Sequence, residues 1–151
     1  MRRHEKEIFE LSAIEAVIHD SVVCRLGISD GDVPYIVPLC FGYKDRTLYF
    51  HGSKKGKKIT LLRKNDIVCF EFDLDIEVVE NVKACDWGVR FRSVIGYGKA
   101  DVIEDLEEKR KALEIIMHHY SDKEFQFSEK AIEGTAVIRV DVESMTGKQS
   151  G

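Results

Sequence analysis

The chain has 151 residues, of which 44% are hydrophobic and 33% are charged, and its formal net charge is −4 at pH 7. This length suits a single domain over residues 1–151 whose core needs no disulfide or metal. No stretch approaches the roughly 18 consecutive apolar residues of a membrane-spanning helix, and the acidic balance argues against general nucleic-acid binding, which usually needs a basic surface.

The N-terminal segment, residues 1–20, is predicted to form a lead helix ahead of the main body, residues 21–148. Apolar residues between Glu5 and His19 recur with a three-four spacing, and charged residues fill the positions between them. The first residues, MRRHEKEIFEL, have neither the apolar stretch nor the small-residue cleavage site of a signal peptide. We therefore expect a cytoplasmic protein.

Six segments have the pattern of β-strands, and hairpin turns join most of them. Pro38 falls inside the second segment, where it cannot donate a ladder hydrogen bond, so we expect an edge strand or a bulge there. Gly96 and Gly98 in the fifth segment predict a bend or a close approach of another part of the backbone. The predicted strands are 22–28, 33–44, 48–50, 66–79, 87–103 and 135–145.

Three helical segments follow or separate these strands. Residues 58–64 predict a short helix closed by basic residues, and a weaker helical pattern covers 128–134. Asp105, followed three residues later by Glu108, is a capping box that opens a longer amphipathic helix. The predicted fold is mainly β with flanking helices, an antiparallel barrel with the helices packed outside, because this arrangement leaves the fewest exposed strand edges.

The cysteines and the paired histidines do not predict a metal or redox site. No two cysteines have the spacing of a zinc site or a C-x-x-C motif, so buried, reduced thiols are expected. His118 and His119 are adjacent on a predicted helix, where their side chains diverge by about 100 degrees, so they are interpreted as structural. The cysteines are Cys24, Cys40, Cys69 and Cys85.

A cluster of lysines lies where the third strand gives way to a helix, in the stretch TLYFHGSKKGKKITLLRKN. Cations are unfavourable at a helix N-terminus, so helix propensity does not explain them. Free N–H groups, a loop with Gly52 and Gly56, and the Ser53 hydroxyl together describe a phosphate site. The alternative is that the lysines only solvate a surface loop. They are Lys54, Lys55, Lys57 and Lys58.

This loop is not one of the common nucleotide-binding motifs. Gly52 and Gly56 are one residue too close for a P-loop, and Lys57 is not followed by serine or threonine. His51 ends the strand that enters the loop, so its imidazole could bind an anion or donate a proton near neutral pH. A hydrogen-bonded structural role for His51 is the alternative.

The chain contains the ordered elements P-Y-x-V-P, L-Y-F-H, G-K-K and S-V-x-G-x-G between residues 34 and 98, within a resemblance that covers residues 22–148. Together they resemble the pyridoxamine 5′-phosphate oxidase-related flavin proteins, and most closely their nitroimidazole-resistance reductase branch. The resemblance implies a six-stranded antiparallel split β-barrel. It also implies a homodimer that binds flavin mononucleotide (FMN) at the subunit interface, with FMN favoured over FAD or haem.

The resemblance also assigns residues to the cofactor. Ser93 would contribute near the interface, and Trp87 could form a wall for the flavin ring, although a core or dimer contact is favoured for it. The backbone of four residues would face the isoalloxazine ring: Val37, Pro38, Leu39 and Cys40. Five residues would surround the phosphate: His51, Gly52, Ser53, Lys57 and Lys58.

Two departures from the family pattern bear on function. The branch often has an arginine-lysine pair where this chain has Lys57 and Lys58, and lysine lacks the bidentate geometry of arginine toward phosphate. The arginine-rich substrate motif of true pyridoxamine phosphate oxidase is missing near the C-terminus, which argues against that activity.

Three functions are compared. The leading one is an FMN-dependent reductase that passes electrons from a reduced donor, such as a reduced nicotinamide, to a small flat acceptor, with His51 at most a proton donor or flavin contact. The second is a flavin- or haem-binding sensor, carrier or store without turnover. The third, a small-barrel nucleic-acid binder using the lysine loop, is disfavoured by the acidic balance.

Overall fold

A computed structural model describes residues 4–151, and within them eight strands and four α-helices form the fold. The helices are α1 (Leu11–Asp20), α2 (Lys57–Lys64), α3 (Leu106–Tyr120) and α4 (Glu129–Gly134), with short 3-10 turns at His4–Lys6 and Ala84–Asp86. The strands are β1 (Glu7–Ile8), β2 (Cys24–Asp30), β3 (Val33–Leu39), β4 (Gly42–Lys44), β5 (Thr47–Ser53), β6 (Ile67–Val79), β7 (Gly88–Ile103) and β8 (Thr135–Ser150).

All strand pairs are antiparallel, and the sheet runs in the order β3-β2-β6-β7-β8-β5-β4, with β1 added to β8. The sheet does not close, so β3 and β4 are its two edges. Only two residues separate these edges along the chain, which holds Leu39 and Gly42 within roughly 11 Å of each other. The sheet therefore curls into a barrel with a split between β3 and the β4–β5 hairpin, and the predicted mainly-β split barrel is confirmed.

The predicted strand over 33–44 is wrong in one respect, because it is broken at Cys40 and Phe41 into β3 and β4. The N–H of Phe41 donates to the Tyr120 hydroxyl at 3.0 Å, and that hydroxyl donates in turn to the carbonyl of Val22 at 2.7 Å. Tyr120 at the end of α3 thus ties the break in the edge strand to the residues before β2.

The barrel interior is filled by aromatic and aliphatic side chains from alternating strand positions. Phe41, Phe50, Phe70 and Phe72 are each fully buried, and burial of such a side chain contributes roughly 1.5–3 kcal/mol. A second, smaller cluster lies outside the sheet, under α3 and α4. It comprises Ile103, Ala112, Leu113, Ile116, Ile132 and Val137.

The lead helix is shorter than the predicted residues 1–20, of which residues 1–3 lie outside the described part of the chain. Helix α1 begins only at Leu11, because Glu7 and Ile8 are extended and pair with Lys148 and Gly147 of β8. At the other end of the chain, β8 continues to Ser150, well beyond the predicted limit of residue 145.

Two features predicted within strands are confirmed: the edge position of Pro38, and the close approach of other residues to Gly96 and Gly98. Pro38 lies on β3, an edge strand that pairs only with β2 among the described strands. A side chain at Gly96 would overlap the ring of Phe70, and one at Gly98 would overlap the carbonyl of Asp141. The pairing of β7 with β8 shifts between Tyr97 and Gly98, which marks a bulge.

Helices α3 and α4 match their predictions. The Asp105 carboxylate accepts a hydrogen bond from the N–H of Glu108 at 2.9 Å, and Ser128 caps α4 in the same way. Among residues 4–151, the structure contains no helix with the length and apolar character needed to span a membrane.

In the structure all four cysteines are free thiols. The prediction that they are buried is wrong for two of them. Cys24 is buried and Cys69 is half-buried, but Cys40 and Cys85 are exposed because they lie just outside strands.

Candidate functional site

The candidate site begins at the N-terminus of α2, where the loop from β5 enters the helix. Gly56 is the N-cap residue and has no side chain to cap the first turn. Its carbonyl accepts from the N–H groups of Ile59 and Thr60, at 3.1 and 3.4 Å. Within the described residues, the N–H groups of Lys57 and Lys58 have no acceptor, so the turn presents two free donors to an anion.

Lys58 folds back over the end of β5. A Cβ atom added at Gly52 would lie 2.5 Å from the Lys58 Nζ atom, so this position needs a glycine to leave room for the ammonium group. Partial burial lowers the pKa of Lys58. The structure thus places a partly desolvated positive charge beside the free N–H groups of the α2 N-terminus.

Lys57 points in the opposite direction, toward the β2–β3 hairpin. Its Nζ lies 2.9 Å from the Asp30 carboxylate and 4.8 Å from the centre of the Tyr35 ring. The two lysines therefore lie on opposite sides of the split, Lys58 against β5 and Lys57 against β2 and β3. Asp30 and Tyr35 were missed by the sequence analysis, and only the polar turn SDGD could have indicated Asp30.

The remaining residues of the loop have different environments. The Ser53 hydroxyl accepts a hydrogen bond from the N–H of Lys55 at 3.3 Å, which shapes the turn before the helix. The side chain of Lys55 is exposed, whereas Lys54 lines a separate cavity on the far side of α2. The lysine cluster is thus not one uniform surface.

His51 lies on β5 immediately before Gly52, and its side chain is exposed. The pKa of His51 is lowered, first by partial burial of the ring and second by the positive charge of Lys58. Within the described residues its ring forms no hydrogen bond, which is the contact that a structural role predicts. At neutral pH the imidazole is uncharged and can offer one donor and one acceptor.

The residues assigned to the flavin ring lie along the edge of β3. Among the described strands β3 pairs only with β2, so the backbone groups of β3 that point away from β2 are unpaired. Tyr35, which contacts Lys57, and Cys40 are separated by roughly 17 Å along an extended chain. An elongated site runs from the α2 N-terminus to the exposed Cys40.

Ser93 and Trp87, which the resemblance places near the cofactor, lie away from this site within one chain. Ser93 aligns across the sheet with Asp73 of β6, and three strand spacings, roughly 14 Å, separate its strand from the β3 edge. Trp87 lies at the tip of the β6–β7 hairpin, is 51% exposed and donates from its indole to the carbonyl of Asn81. A core role for Trp87 is therefore wrong.

The paired histidines have separate environments. His119 is half-buried, its Nε2 lies 2.7 Å from the carbonyl of Ser21, and its ring packs 4.2 Å from that of Phe41. The structural interpretation is confirmed for His119, while His118 is exposed. Among residues 4–151, no group of three His, Cys, Asp or Glu side chains is positioned to hold a metal ion.

We expect the protein to lose stability as the pH falls below about 6.5, the ordinary histidine value. Burial is the largest cause that lowers the pKa of both His51 and His119, so below this pH the unfolded chain binds more protons than the folded one. Urea unfolding between pH 5 and 8 measures the effect. His119→Gln should flatten the dependence, and His118→Gln, at an exposed position, is the control; equal slopes in all three proteins would contradict the prediction.

The outer face of the sheet carries a broad apolar hollow of about 510 Å³ between β2, β3 and β6. Ile36, Ile67 and Tyr97 contribute to its lining although they are 66%, 60% and 53% exposed. Exposed apolar surface of this kind usually marks an interaction site.

A family model and a solved structure both relate this chain to the same protein family. The family model described as pyridoxamine 5′-phosphate oxidase matches residues 10–149. The crystal structure of a candidate 5-nitroimidazole antibiotic resistance protein from Bacteroides thetaiotaomicron is 40% identical, with a TM-score of 0.86 over 95% of this chain and 86% of that one. Among curated proteins, none matches the sequence.

Two more distant structures share the fold. The flavocytochrome Anf3 from Azotobacter vinelandii has a TM-score of 0.88 and 22% identity over 100% of this chain and 72% of that chain. A FAD and haem binding protein from Mycobacterium smegmatis also has a TM-score of 0.88, with 16% identity over 96% of this chain and 73% of that one. The family model and the 40% identical structure show that the chain belongs to the pyridoxamine 5′-phosphate oxidase-like family, and it has that family's split-barrel fold.

Proposed function

We propose that the protein is an FMN-dependent oxidoreductase, which passes electrons from a reduced donor such as a reduced nicotinamide to a small flat acceptor. The observation that carries the proposal is the α2 N-terminus, where two free N–H donors lie beside the Lys58 ammonium on the β5 side of the split, and Lys57 contacts Tyr35 of the edge strand β3. Family membership and the 40% identical relative named for nitroimidazole resistance support the same reading.

The phosphate of the cofactor would bind at the start of α2. The N–H groups of Lys57 and Lys58 point outward there, and the Lys58 ammonium supplies a charge that burial has already partly desolvated. Such oriented donors and charge bind phosphate without a full P-loop. Lys57, which is paired with Asp30, would contribute mainly through its backbone.

The flavin ring would lie along the unpaired edge of β3, against the backbone of residues 37–40. Pro38 has no N–H group, so the ring faces carbonyl oxygens and the remaining donors of this edge rather than a continuous ladder. When bound, flavin supplies the redox chemistry, and the protein positions and shields it. Uncharged His51 would offer a hydrogen bond at the phosphate end of the site, and its lowered pKa disfavours a proton-donor role at neutral pH.

A homodimer would complete the site. The apolar hollow on β2, β3 and β6 leaves Ile36, Ile67 and Tyr97 exposed in a single chain, and a second copy would cover them. Ser93, roughly 14 Å from the β3 edge within one chain, could then contribute across the interface. Light scattering during size-exclusion chromatography tests this directly, since a monomer at working concentration would contradict it.

The first experiment is the visible absorbance spectrum of the freshly purified protein, followed by release of the ligand by heat and its identification by chromatography and mass. We expect FMN at about one per subunit. Under anaerobic conditions NADH or NADPH should then bleach the flavin absorbance, and nitro or quinone acceptors should restore it.

Each of the other results would replace the proposal with a different one. Flavin that is bound but never reduced by nicotinamides or other donors would identify a carrier, sensor or store. A haem spectrum would do the same with another cofactor. A colourless protein that does not bind added FMN would overturn the cofactor assignment itself.

A further inference from the structure

A second cluster of cations surrounds a separate cavity of about 220 Å³ on the far side of α2. We propose that this cavity binds a compact oxyanion, such as phosphate or the phosphate group of a small metabolite, independently of the flavin site. Three cations from three different elements line it: Lys54 from the β5–α2 loop, Arg63 from α2 and Lys109 from α3.

Lys109 is the least exposed of the three cations that line the cavity. It is only 2% exposed, in contrast to the exposed lysines of the β5–α2 loop, and it lines the cavity. Within the described residues its ammonium group forms no hydrogen bond and no ion pair. Among residues 4–151, Arg139 Nε is the one buried side-chain polar atom without a hydrogen-bond partner, so the Lys109 ammonium opens into the cavity, where an anion can pair with it.

The charges around the cavity do not cancel. Glu104 is the one carboxylate in the lining, and it already lies 3.4 Å from Arg63. Burial lowers the pKa of Lys109 and the positive charge of Lys54 lowers it further, while Glu104 and Glu133 oppose these effects. The lining therefore carries a net positive charge, which an anion would neutralise.

The cavity has the size and the walls for a compact anion. Its volume of about 220 Å³ exceeds the share of one water molecule, about 30 Å³, several-fold, so a phosphate ion and accompanying waters fit. Ile59, Ile103 and Ala136 form apolar walls, and charge interactions are stronger next to such walls than in open water. At about 220 Å³ the cavity is smaller than the roughly 300–1,000 Å³ of typical cofactor and ligand pockets.

The cavity is distinct from the proposed flavin site, because none of the residues assigned to the flavin phosphate lines it. Lys57 and Lys58 lie on the first turn of α2, whereas Ile59 and Arg63 lie one turn apart on the face toward the cavity. A substitution of Arg63 or Lys109 can therefore remove the anion site without changing the residues of the proposed flavin site.

The test is the titration of inorganic phosphate into the purified protein saturated with FMN, at constant ionic strength. Isothermal titration calorimetry measures the affinity, and the melting temperature measures the stabilisation. We expect phosphate to bind and to raise the melting temperature. Lys109→Met and Arg63→Gln should each weaken binding at least tenfold, as expected for loss of a charge-assisted contact. Lys55→Met removes an exposed lysine from the same loop and should change the affinity less than twofold.

Failure of this proposal is separable from failure of the proposed function. If FMN does not bind, the same titration is run on the protein as purified, and the variants keep their meaning. Arg63 is 65% exposed, so Arg63→Gln carries the test even if Lys109→Met does not fold. No phosphate binding, or equal affinity in wild type and in both cavity variants, would overturn the proposal.

Discussion

Replacing Lys58 with methionine is expected to weaken FMN binding by roughly 10- to 100-fold, the range for loss of a hydrogen bond to a charged group. The methylene stem is retained in methionine, so packing over Gly52 persists while the charge is lost. The Lys58 Nζ occupies the space that a Gly52 side chain would fill, which fixes the ammonium at the end of β5. Quenching of FMN fluorescence on titration with protein measures the dissociation constant.

Neighbouring lysines are the matched controls for this change. Lys55→Met removes one exposed charge from the same loop and should alter FMN affinity less than threefold, as a screened surface charge does. Lys57→Met should weaken binding less than Lys58→Met does, because the Lys57 side chain is paired with Asp30 and its backbone contribution is retained in the variant. Equal losses in all three variants would show a general charge effect and contradict the specific role of Lys58.

Gly42→Ala is expected to lower the free energy of unfolding by roughly 3 kcal/mol, at the upper end of the range for overpacked sites. A Cβ at Gly42 would lie 2.7 Å from the Ile116 nitrogen and 2.8 Å from the Ile115 carbonyl carbon. These are backbone atoms of α3, so no side-chain rotation can relieve the contact, and the helix must move away from β4. Urea unfolding at a fixed flavin load measures the loss.

Gly134→Ala is the control for the glycine substitution. A Cβ at Gly134 would meet no atom within 4 Å, and the residue does not have a positive φ. Alanine reduces the freedom of the unfolded chain, so stability should be unchanged or increase by up to about 1 kcal/mol. A similar midpoint for Gly42→Ala and wild type would mean that α3 can shift without loss of packing.

Local patterns in the sequence were sufficient to predict the barrel, and they indicate the start of α2 as a candidate site. Period-two alternation located the long strands, and Pro38 correctly predicted an edge strand because proline removes a ladder donor at any position. The run of glycine, serine and lysine before residues 58–64 located the start of a helix. These signals depend on neighbours in sequence, so they can be read without the fold.

Features that depend on distant partners could not be predicted. Lys57 pairs with Asp30, and the break after β3 depends on Tyr120, so neither is visible in the nearby sequence. The late start of α1 follows from the pairing of Glu7 with β8, at the opposite end of the chain. Lys109 reads as an ordinary solvent-facing helix residue, although the fold buries it beside two other cations.

The position of β8 in the sheet has a consequence for synthesis on the ribosome. This strand, the last along the described chain, lies between β7 and β5 and also binds β1. Until it emerges, the nascent chain exposes one edge of β5 and one of β7, and such unpaired edges can pair with other chains. Because synthesis adds about 5–20 residues per second, the barrel passes through a brief aggregation-prone stage. A stop codon before residue 135 should therefore yield insoluble product.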